Sequence, residues 1–381
     1  MLNPSKSERF AALDAWRGIC ALLVALEHLN IDSVLHRNAL IHHGFRFVDF
    51  FFVLSGFVIA HAYRERLQRG GAEVRAFLVR RIGRLWPLHI VMLLGFFGFE
   101  TCVWLANHAH ISTGRAAFAE HDTLASLPAN ILLVHSWGIL DHPTWNVPSW
   151  SISTEVFAYG LFAALCALVP RKWLDPVASV LLAGSVAVIL FVAPLGMRST
   201  FDYGLFRCVF GFTMGVLIRR VWQRWPLKLG TFGEIAVVLL VVGGVILIPD
   251  ESSVLVTALF ALAVWVFAGE DGLLSGLLRK KLPQALGRWS YSIYMVHALV
   301  VLGMLTLAMV ATQHGLHLFG RVRDVSTIIG PQSVTASITL VYLAIVVAIA
   351  SFSYRHVELR GQRFFNRWVK GAEPSSLAKT F

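Results

Sequence analysis

The sequence is poor in charged residues and has few stretches suited to a water-soluble surface. Only 14% of its 381 residues are charged, whereas 56% are hydrophobic and the mean hydropathy is +0.66. Soluble globular chains carry about 25% charged residues. This composition excludes an ordinary soluble domain and predicts an all-α polytopic membrane protein.

Cysteine is also scarce, and its distribution argues against metal or disulfide chemistry. The four cysteines all fall within apolar runs and lack the spacing of a zinc site. A cysteine in such a run usually behaves as a small hydrophobic side chain. We therefore expect no metal and four buried packing residues: Cys20, Cys102, Cys166 and Cys208.

The sequence shows no internal repeat and no low-complexity segment. Its polar beginning, MLNPSKSERF, has no small-residue cleavage site, so the first apolar run is expected to be a retained helix. We predict one transmembrane domain over residues 1–370 and a short disordered tail over 371–381.

Apolar runs of bilayer length fill most of the chain. A membrane-spanning helix needs about 20 predominantly apolar residues. The run at 128–140 is shorter and is expected to be re-entrant or interfacial. About ten transmembrane helices are predicted, near residues 13–30, 46–63, 85–106, 147–169, 175–195, 201–221, 232–249, 253–269, 286–311 and 333–354.

The basic residues are concentrated in every second loop between these runs. The chain has 33 Lys and Arg against 22 Asp and Glu, but short clusters between apolar spans argue for membrane topology rather than nucleic-acid binding. By the positive-inside rule, both termini are predicted to be cytoplasmic, next to anionic membrane lipids. The basic clusters lie near residues 64–84, 171–172, 219–228, 279–288 and 355–379.

The first apolar run, LDAWRGICALLVALEHL, contains Arg17, Glu27 and His28. Arg17 and His28 are eleven residues apart, which returns to within about 20° of one helix face and rises about 16 Å. Ionisable groups inside a membrane usually face an interior site or a water-filled cavity. We expect a polar stripe that reaches mid-bilayer. The alternative is that Arg17 only reaches the membrane surface and His28 only satisfies one polar contact.

An Arg-x10-His pair within LDxxRG resembles the signature of the membrane acyltransferase-3 family, whose members O-acylate sugars and other acceptors. Four further segments, described next, are similar to family motifs in the same order, so the resemblance covers nearly the whole chain. It implies an integral membrane O-acyltransferase that takes its acyl group, most often acetyl, from acyl-CoA.

The second run opens with Asp49 and continues FFFVLSGF, similar to the family's D-x-FF-x-x-SGF segment. Asp49 and Ser55 are candidate acceptor-binding residues. Packing is the competing explanation for Ser55 and Gly56, because glycine lets helices approach closely and serine can bond across them. The family usually has a glycine at the position of Phe47, so the loop geometry is expected to differ there.

The segment RRIGRLWP resembles the family's R-x-x-R motif followed by proline. Arg81 and Arg84 project from one helix face, with Arg80 beside them. Guanidinium groups suit phosphate oxygens. These arginines are predicted to bind the phosphates of coenzyme A, and anchoring at the membrane surface is the alternative.

The outer segment HSWGILDHPTWNVPSWSISTE is rich in tryptophan and ends in a stretch that resembles the family's W-S-x-S-x-E. Trp145, Trp150 and Ser153 are candidate acceptor-binding residues, although tryptophan also favours membrane interfaces. Glu155 lies about 12–15 Å below the outer surface, a depth comparable with that of His28. A carboxylate there needs a partner, and we expect a histidine or an arginine.

The run SYSIYMVH resembles the family's S-Y-x-x-Y-L-x-H. Tyr294 and His297 are three residues apart and share a helix face near mid-bilayer. With His28 and Glu155, they predict a constellation at one depth.

Together with these residues, the resemblance implies transfer of an acyl group from cytosolic acetyl-CoA to a hydroxyl of an extracytoplasmic or lipid-linked carbohydrate, in the bacterial cytoplasmic membrane. His28 is the candidate general base, because the pKa of histidine, about 6.5, suits that role. Glu27 or Glu155 would orient His28, while Arg17, Tyr294 or His297 would stabilise the oxyanion. Direct transfer, an acyl-histidine intermediate and a longer acyl donor all remain compatible, and the oligomeric state is open. A transporter or flippase and a non-catalytic sensor or scaffold are the alternatives.

Overall fold

The computed structural model describes residues 10–110, 116–119, 121–322 and 325–369, and the predicted tail at 371–381 lies outside them. Most of this part of the chain is helical. Its α-helices are α1 Ala11–Glu27, α2 Ala39–His42, α3 Phe47–Leu67, α4 Gly71–His108, α5 Leu127–Ile131, α6 Trp150–Leu168, α7 Leu174–Phe191, α8 Gly204–Arg224, α9 Gly230–Leu247, α10 Val254–Phe267, α11 Leu273–Leu278, α12 Lys281–Gln313, α13 Gln332–Ser353 and α14 Leu359–Arg367.

Ten of these helices lie where the sequence predicts membrane spans. By length and composition, seven are apolar enough to cross a membrane: α3, α4, α6, α7, α9, α12 and α13. The other three are shorter or more charged, since α1 has 17 residues, α10 has 14 and α8 carries several arginines. The segment 128–140 contains the end of the five-residue α5 followed by turns. The prediction of an all-α polytopic membrane protein is confirmed.

Helix α4 is longer than its predicted span because the arginine-rich segment before that span is also helical. Pro87 lies inside the helix, as membrane helices tolerate when neighbouring groups satisfy the freed backbone. Arg81 and Arg84 therefore sit on the same continuous helix as the apolar residues that follow them.

Glycines set the closest helix crossings. Gly18 of α1 faces Leu286 and Gly287 of α12, where an added Cβ would lie 2.4 Å from the Leu286 carbonyl carbon. Gly56 of α3 faces α8, where a Cβ would lie 1.9 Å from the Phe212 carbonyl oxygen. Gly56 therefore has the packing role that was expected for it. These crossings bring the polar residues of α1 and α3 against their neighbouring helices.

A β-hairpin covers the end of α1. Strands β1 Phe319–Val322 and β2 Val325–Ile328 pair antiparallel between α12 and α13. The Ile328 amide donates to the Asn30 carbonyl, and the Asp32 amide donates to the Ile328 carbonyl, each at 2.9 Å. The hairpin therefore anchors the loop that directly follows His28.

The expectation of four buried cysteines is wrong for Cys102. Cys20, Cys166 and Cys208 are buried, but Cys102 is exposed, and all four are free thiols. Cys102 lies on a face of α4 that points away from the helix bundle. In a membrane helix both the packed and the lipid-facing sides are apolar, so the sequence did not distinguish them.

Replacement of Gly56 by alanine is expected to destabilise the crossing of α3 and α8, because the added Cβ forces the two backbones apart. Overpacking of this kind typically costs about 1–3 kcal/mol. The thermal unfolding midpoint in detergent micelles measures the loss. Gly160→Ala in α6 is the matched control, since a Cβ there meets no described atom within 4 Å. An equal drop in both variants would contradict the prediction.

Candidate active site

A cavity of about 100 Å³ with both polar and apolar walls lies among α1, α3, α4, α6 and α12. A buried water needs roughly 10–15 Å³ of such volume, so the cavity has room for several waters or for a short acyl chain. Its polar walls combine cations, a carboxylate and hydroxyls from all five helices: Arg17, Ser55, Arg81, Arg84, Ser151, Glu155, Tyr159, Ser290, Tyr291 and Tyr294.

Glu155 is the carboxylate of this cavity, and two hydroxyls bind it. Ser55 Oγ and Tyr159 OH each donate to Glu155 Oε1 at 2.6 Å. The two hydroxyl oxygens lie 3.2 Å apart. The partners expected for Glu155 were a histidine or an arginine, so its hydrogen bonds differ from that expectation. Since Ser55 is on α3, this cluster also joins α3 to α6.

Arg81 is buried in the cavity wall and is only partly satisfied. Its Nη2 donates to Tyr63 OH at 3.1 Å, and its guanidinium lies 5.1 Å from the centre of the Tyr63 ring. The buried Nε has no hydrogen-bond partner among the described residues. Arg80 does not line the cavity, and its Nη1 is likewise buried without a partner in the described chain. Unused donors of buried arginines are suited to an anionic ligand.

Arg17 points from α1 towards α12. Its Nε donates to Ser290 Oγ at 2.8 Å and its Nη2 donates to the Gly287 carbonyl at 3.2 Å. Asp14, one turn earlier on α1, lies 3.5 Å from Nη2. Arg17 is thus held by three groups at the end of the cavity that also contains Arg84.

His28 pairs with His297 at the other end of α1. Their ring centres are 4.9 Å apart in an edge-to-face arrangement. His28 Nδ1 lies 2.9 Å from the Val24 carbonyl and 2.8 Å from Glu27 Oε2. His297 is fully buried, and neither of its ring nitrogens has a hydrogen-bond partner in the part of the chain that the structure describes. The contact between α1 and α12 therefore brings the two histidines together.

Tyr294 lies between the cavity and the histidine pair. Its hydroxyl donates to the Pro148 carbonyl at 2.9 Å and accepts from Ser151 Oγ at 2.8 Å. Its ring lines the cavity and is centred 5.7 Å from the His297 ring. The predicted constellation is therefore divided: Glu155 lies with the arginines, the histidines lie farther along α1, and Tyr294 connects the two groups.

Asp49 has a buried cationic partner. Arg207 of α8 binds it with two parallel contacts, Nε to Oδ1 at 2.7 Å and Nη2 to Oδ2 at 3.0 Å. Arg207 also lies 5.0 Å from the centre of the Trp150 ring. This paired geometry joins α3 to α8, and the assignment of Asp49 and Trp150 to acceptor binding stays a prediction.

Trp145 and Ser153 are buried in packing contacts outside the cavity. Trp145 Nε1 donates to Ser126 Oγ at 2.8 Å, and its ring packs with Leu93 and Phe96. Ser153 Oγ donates to the Leu133 carbonyl at 2.8 Å. Their assignment to acceptor binding also stays a prediction.

The family model for acyltransferase-3 proteins matches residues 10–355 of this chain. It is described as an acyltransferase domain. The chain belongs to the acyltransferase-3 family. The buried ionisable groups alone did not distinguish an enzyme from a transporter. Membership of this family identifies the protein as an acyltransferase.

Three curated proteins are similar to the acyltransferase. "Protein 2 in picA locus" of Rhizobium radiobacter is 30% identical, over 50% of this chain and 98% of its own. "Acyltransferase MdmB" of Streptomyces mycarofaciens is 25% identical, over 78% of this chain and 80% of its own. "Putative peptidoglycan O-acetyltransferase YrhL" of Bacillus subtilis is 28% identical, over 60% of this chain but 35% of its own. No solved structure matches at a significant level.

Sequence reasoning missed two residues in or next to the candidate site. Tyr159 is one helical turn from Glu155, and this i, i+4 spacing was the available signal. Glu358 lies in a π-helix, Tyr354–Glu358, between α13 and α14. It is buried, accepts from Ser292 Oγ at 3.1 Å and lies in the field of Arg84 and Arg17. Single π turns in helices often mark functional sites, but they leave no clear sequence signal.

Asp49→Ala is expected to destabilise the acyltransferase, because it leaves Arg207 buried without its carboxylate. Removal of one partner of a buried ion pair typically costs about 3–5 kcal/mol. Thermal unfolding in detergent would show a lower midpoint for Asp49→Ala, with partial recovery in Asp49→Ala/Arg207→Leu. If Asp49→Ala keeps the wild-type midpoint and loses only acceptor affinity, Asp49 is a binding residue instead.

Proposed function

We propose that the acyltransferase transfers an acetyl group from cytosolic acetyl-CoA to a hydroxyl of an extracytoplasmic or lipid-linked carbohydrate, in the bacterial cytoplasmic membrane. The observation that carries the proposal is that Tyr294 lies between the arginine-lined cavity and the paired His28 and His297. The similarity to a protein named for peptidoglycan O-acetylation supports a carbohydrate acceptor.

The donor would approach the cavity from the side of Arg84. Arg81 Nε is an unused buried donor, and Arg17 and Arg84 line the same space. Three guanidinium groups around one cavity create a positive site that favours phosphate oxygens. The narrow cavity accommodates the thin pantetheine arm better than a nucleotide, so the thioester would be the part that reaches towards Tyr294.

His28 is suited to remove the proton from the acceptor hydroxyl. Its Nδ1 faces two acceptors, the Val24 carbonyl and Glu27 Oε2, so Nδ1 carries a hydrogen in either charge state. Nε2 is then the ring nitrogen that accepts a proton. Glu27 stabilises the imidazolium formed in this step, as the acidic member of a catalytic triad does.

The proposed reaction is balanced without a further co-reactant. The hydroxyl proton passes to His28 Nε2, the acceptor oxygen bonds to the thioester carbonyl carbon, and the carbon–sulfur bond breaks. The proton then returns from His28 to the thiolate, which gives an ester and coenzyme A. His297, with two unpartnered nitrogens, and Tyr294 are the nearest candidates to stabilise the developing oxyanion.

His28→Ala and Arg84→Gln are expected to fail at different steps. Loss of a general base typically lowers turnover about 10²–10⁴-fold, so His28→Ala should lose transfer while acetyl-CoA affinity changes by less than about twofold. Arg84→Gln removes a charge-assisted contact and should weaken acetyl-CoA binding about tenfold or more. Calorimetric titration and release of free thiol in detergent measure the two effects.

Arg224→Gln is the control for Arg84→Gln, because Arg224 is an exposed arginine at the end of α8, in another basic cluster. Wild-type turnover in folded His28→Ala protein would exclude His28 as the base. Unchanged acetyl-CoA affinity in Arg84→Gln would assign Arg84 to membrane anchoring.

Cysteine accessibility tests whether donor and acceptor approach from opposite faces. With the native cysteines removed, Asp141→Cys should react with an impermeant maleimide in intact cells, since Asp141 is highly exposed in the loop before α6. Arg69→Cys, in the basic loop before α4, should react only after lysis. Labelling of both sites under the same condition would refute a two-sided mechanism and leave the family assignment intact.

A further inference from the structure

Helix α14 packs directly on the arginine-bearing turn of α4. A Cβ at Gly83, between Arg81 and Arg84, would lie 2.4 Å from Phe365 Cβ. A Cβ at Gly361 would lie 2.4 Å from Pro87 Cγ. This helix also lies beyond the family match, which ends at residue 355. A segment outside the family match thus packs against the turn of α4 that carries Arg81 and Arg84.

The exposed face of α14 is strongly basic. Arg360, Arg363 and Arg367 are all exposed, and their i, i+3, i+7 spacing places them on one side of the helix. The nine-residue helix, LRGQRFFNR, has no acidic residue. Gly361 and Phe365 face α4. The three arginines therefore form a stripe directed away from the helix bundle, which we call the α14 stripe.

The cavity cannot enclose a whole coenzyme A molecule. Its volume of about 100 Å³ is well below the roughly 300–1,000 Å³ of pockets that bury drug-sized ligands. Coenzyme A carries a diphosphate next to the pantetheine arm and a further phosphate on its ribose. If the arm enters beside Arg84, the ribose and its 3′-phosphate must lie outside the cavity, on the cytoplasmic surface next to α14.

We propose that the α14 stripe binds the 3′-phosphate of the acyl-CoA donor. Guanidinium groups bind phosphate oxygens with paired hydrogen bonds, and three arginines on one face supply several such donors. The contact between α14 and the turn of Arg81 and Arg84 places the stripe on the helix that packs directly against the cationic wall of the cavity. This assignment rests on the proposed use of acyl-CoA.

Anionic lipid headgroups share this phosphate chemistry, and the experiment below distinguishes them from the donor. Phe364 and Trp368 are exposed on α14 and lie on the helical wheel between the packed face and the stripe. Aromatic side chains suit the membrane interface. With these two side chains directed to the bilayer, the neighbouring arginines are turned towards the aqueous side, where a soluble nucleotide is available.

The test compares two donors that differ only in the 3′-phosphate. Purified full-length protein in detergent micelles free of phospholipid is titrated with acetyl-CoA and with acetyl-3′-dephospho-CoA. The variant Arg360→Gln/Arg363→Gln/Arg367→Gln should bind acetyl-CoA about tenfold more weakly than wild type, because charge-assisted contacts to the phosphate are lost. Its affinity for the dephospho donor should change by less than about twofold, so the variant binds both donors alike.

Arg224→Gln/Lys228→Gln/Lys280→Gln is the matched control, because it removes three exposed charges from other basic loops. It should keep the wild-type preference for acetyl-CoA, and unfolding midpoints confirm that both variants are folded. Equal loss of both donors, or no loss, overturns the assignment to the 3′-phosphate. Binding to vesicles rich in phosphatidylglycerol is measured for the same variant. If the variant binds both donors like the wild type but binds these vesicles more weakly, the stripe binds lipid and the assignment is overturned. Failure of the wild type to bind acetyl-CoA would instead refute the proposed donor itself.

Discussion

The cost of burying ionised side chains in a membrane determines how this helix bundle is assembled. A charged group removed from water requires a partner, and the partners here come from different helices. Asp49 and Arg207 join α3 to α8, and Arg17 joins α1 to α12 through Ser290. Lipid tails provide little hydrophobic force between helices, so such contacts and glycine crossings must supply the specificity of packing. The ionisable residues within the apolar runs therefore also fix how the helices pack against one another.

The polar groups that remain unsatisfied identify the chemistry more clearly than those that are paired. His297 is buried with both ring nitrogens unpartnered in the described chain, and Arg81 keeps an unused Nε. Buried polar atoms without partners are rare, and each calls for an explanation such as a ligand, a water or a catalytic role. Other unpartnered atoms lie elsewhere in the described chain, including Arg219 Nε and Trp222 Nε1. Those of His297 and Arg81 lie at the two ends of one polar route, beside the histidine pair and beside the arginine-lined cavity, where an acceptor and a donor would each supply the missing contacts.

Distances along one helix could be predicted from the sequence, whereas contacts between helices could not. The ten helical segments and the shared face of Arg17 and His28 follow from hydropathy and helical period. The depth of Glu155 suggested a histidine or arginine partner, but its bonds are to Ser55 and Tyr159 because the rotation of α6 is set by packing. No role was predicted for Glu358, which the structure places at the end of a π turn that the sequence did not indicate.

Division of the polar residues into two groups has a consequence for a two-sided membrane enzyme. An uninterrupted polar channel would admit water, and water would hydrolyse a thioester and carry protons across the membrane. Here the arginine-lined cavity and the histidine pair are separated by Tyr294, whose hydroxyl is held by Pro148 and Ser151 and whose ring packs edge-to-face against Phe51. Arg17 and His28 are about 16 Å apart along α1, a span that a flexible arm can bridge without a nucleotide crossing the bilayer. Separate polar ends joined by Tyr294 would thus reconcile the proposed access from two sides with a sealed membrane.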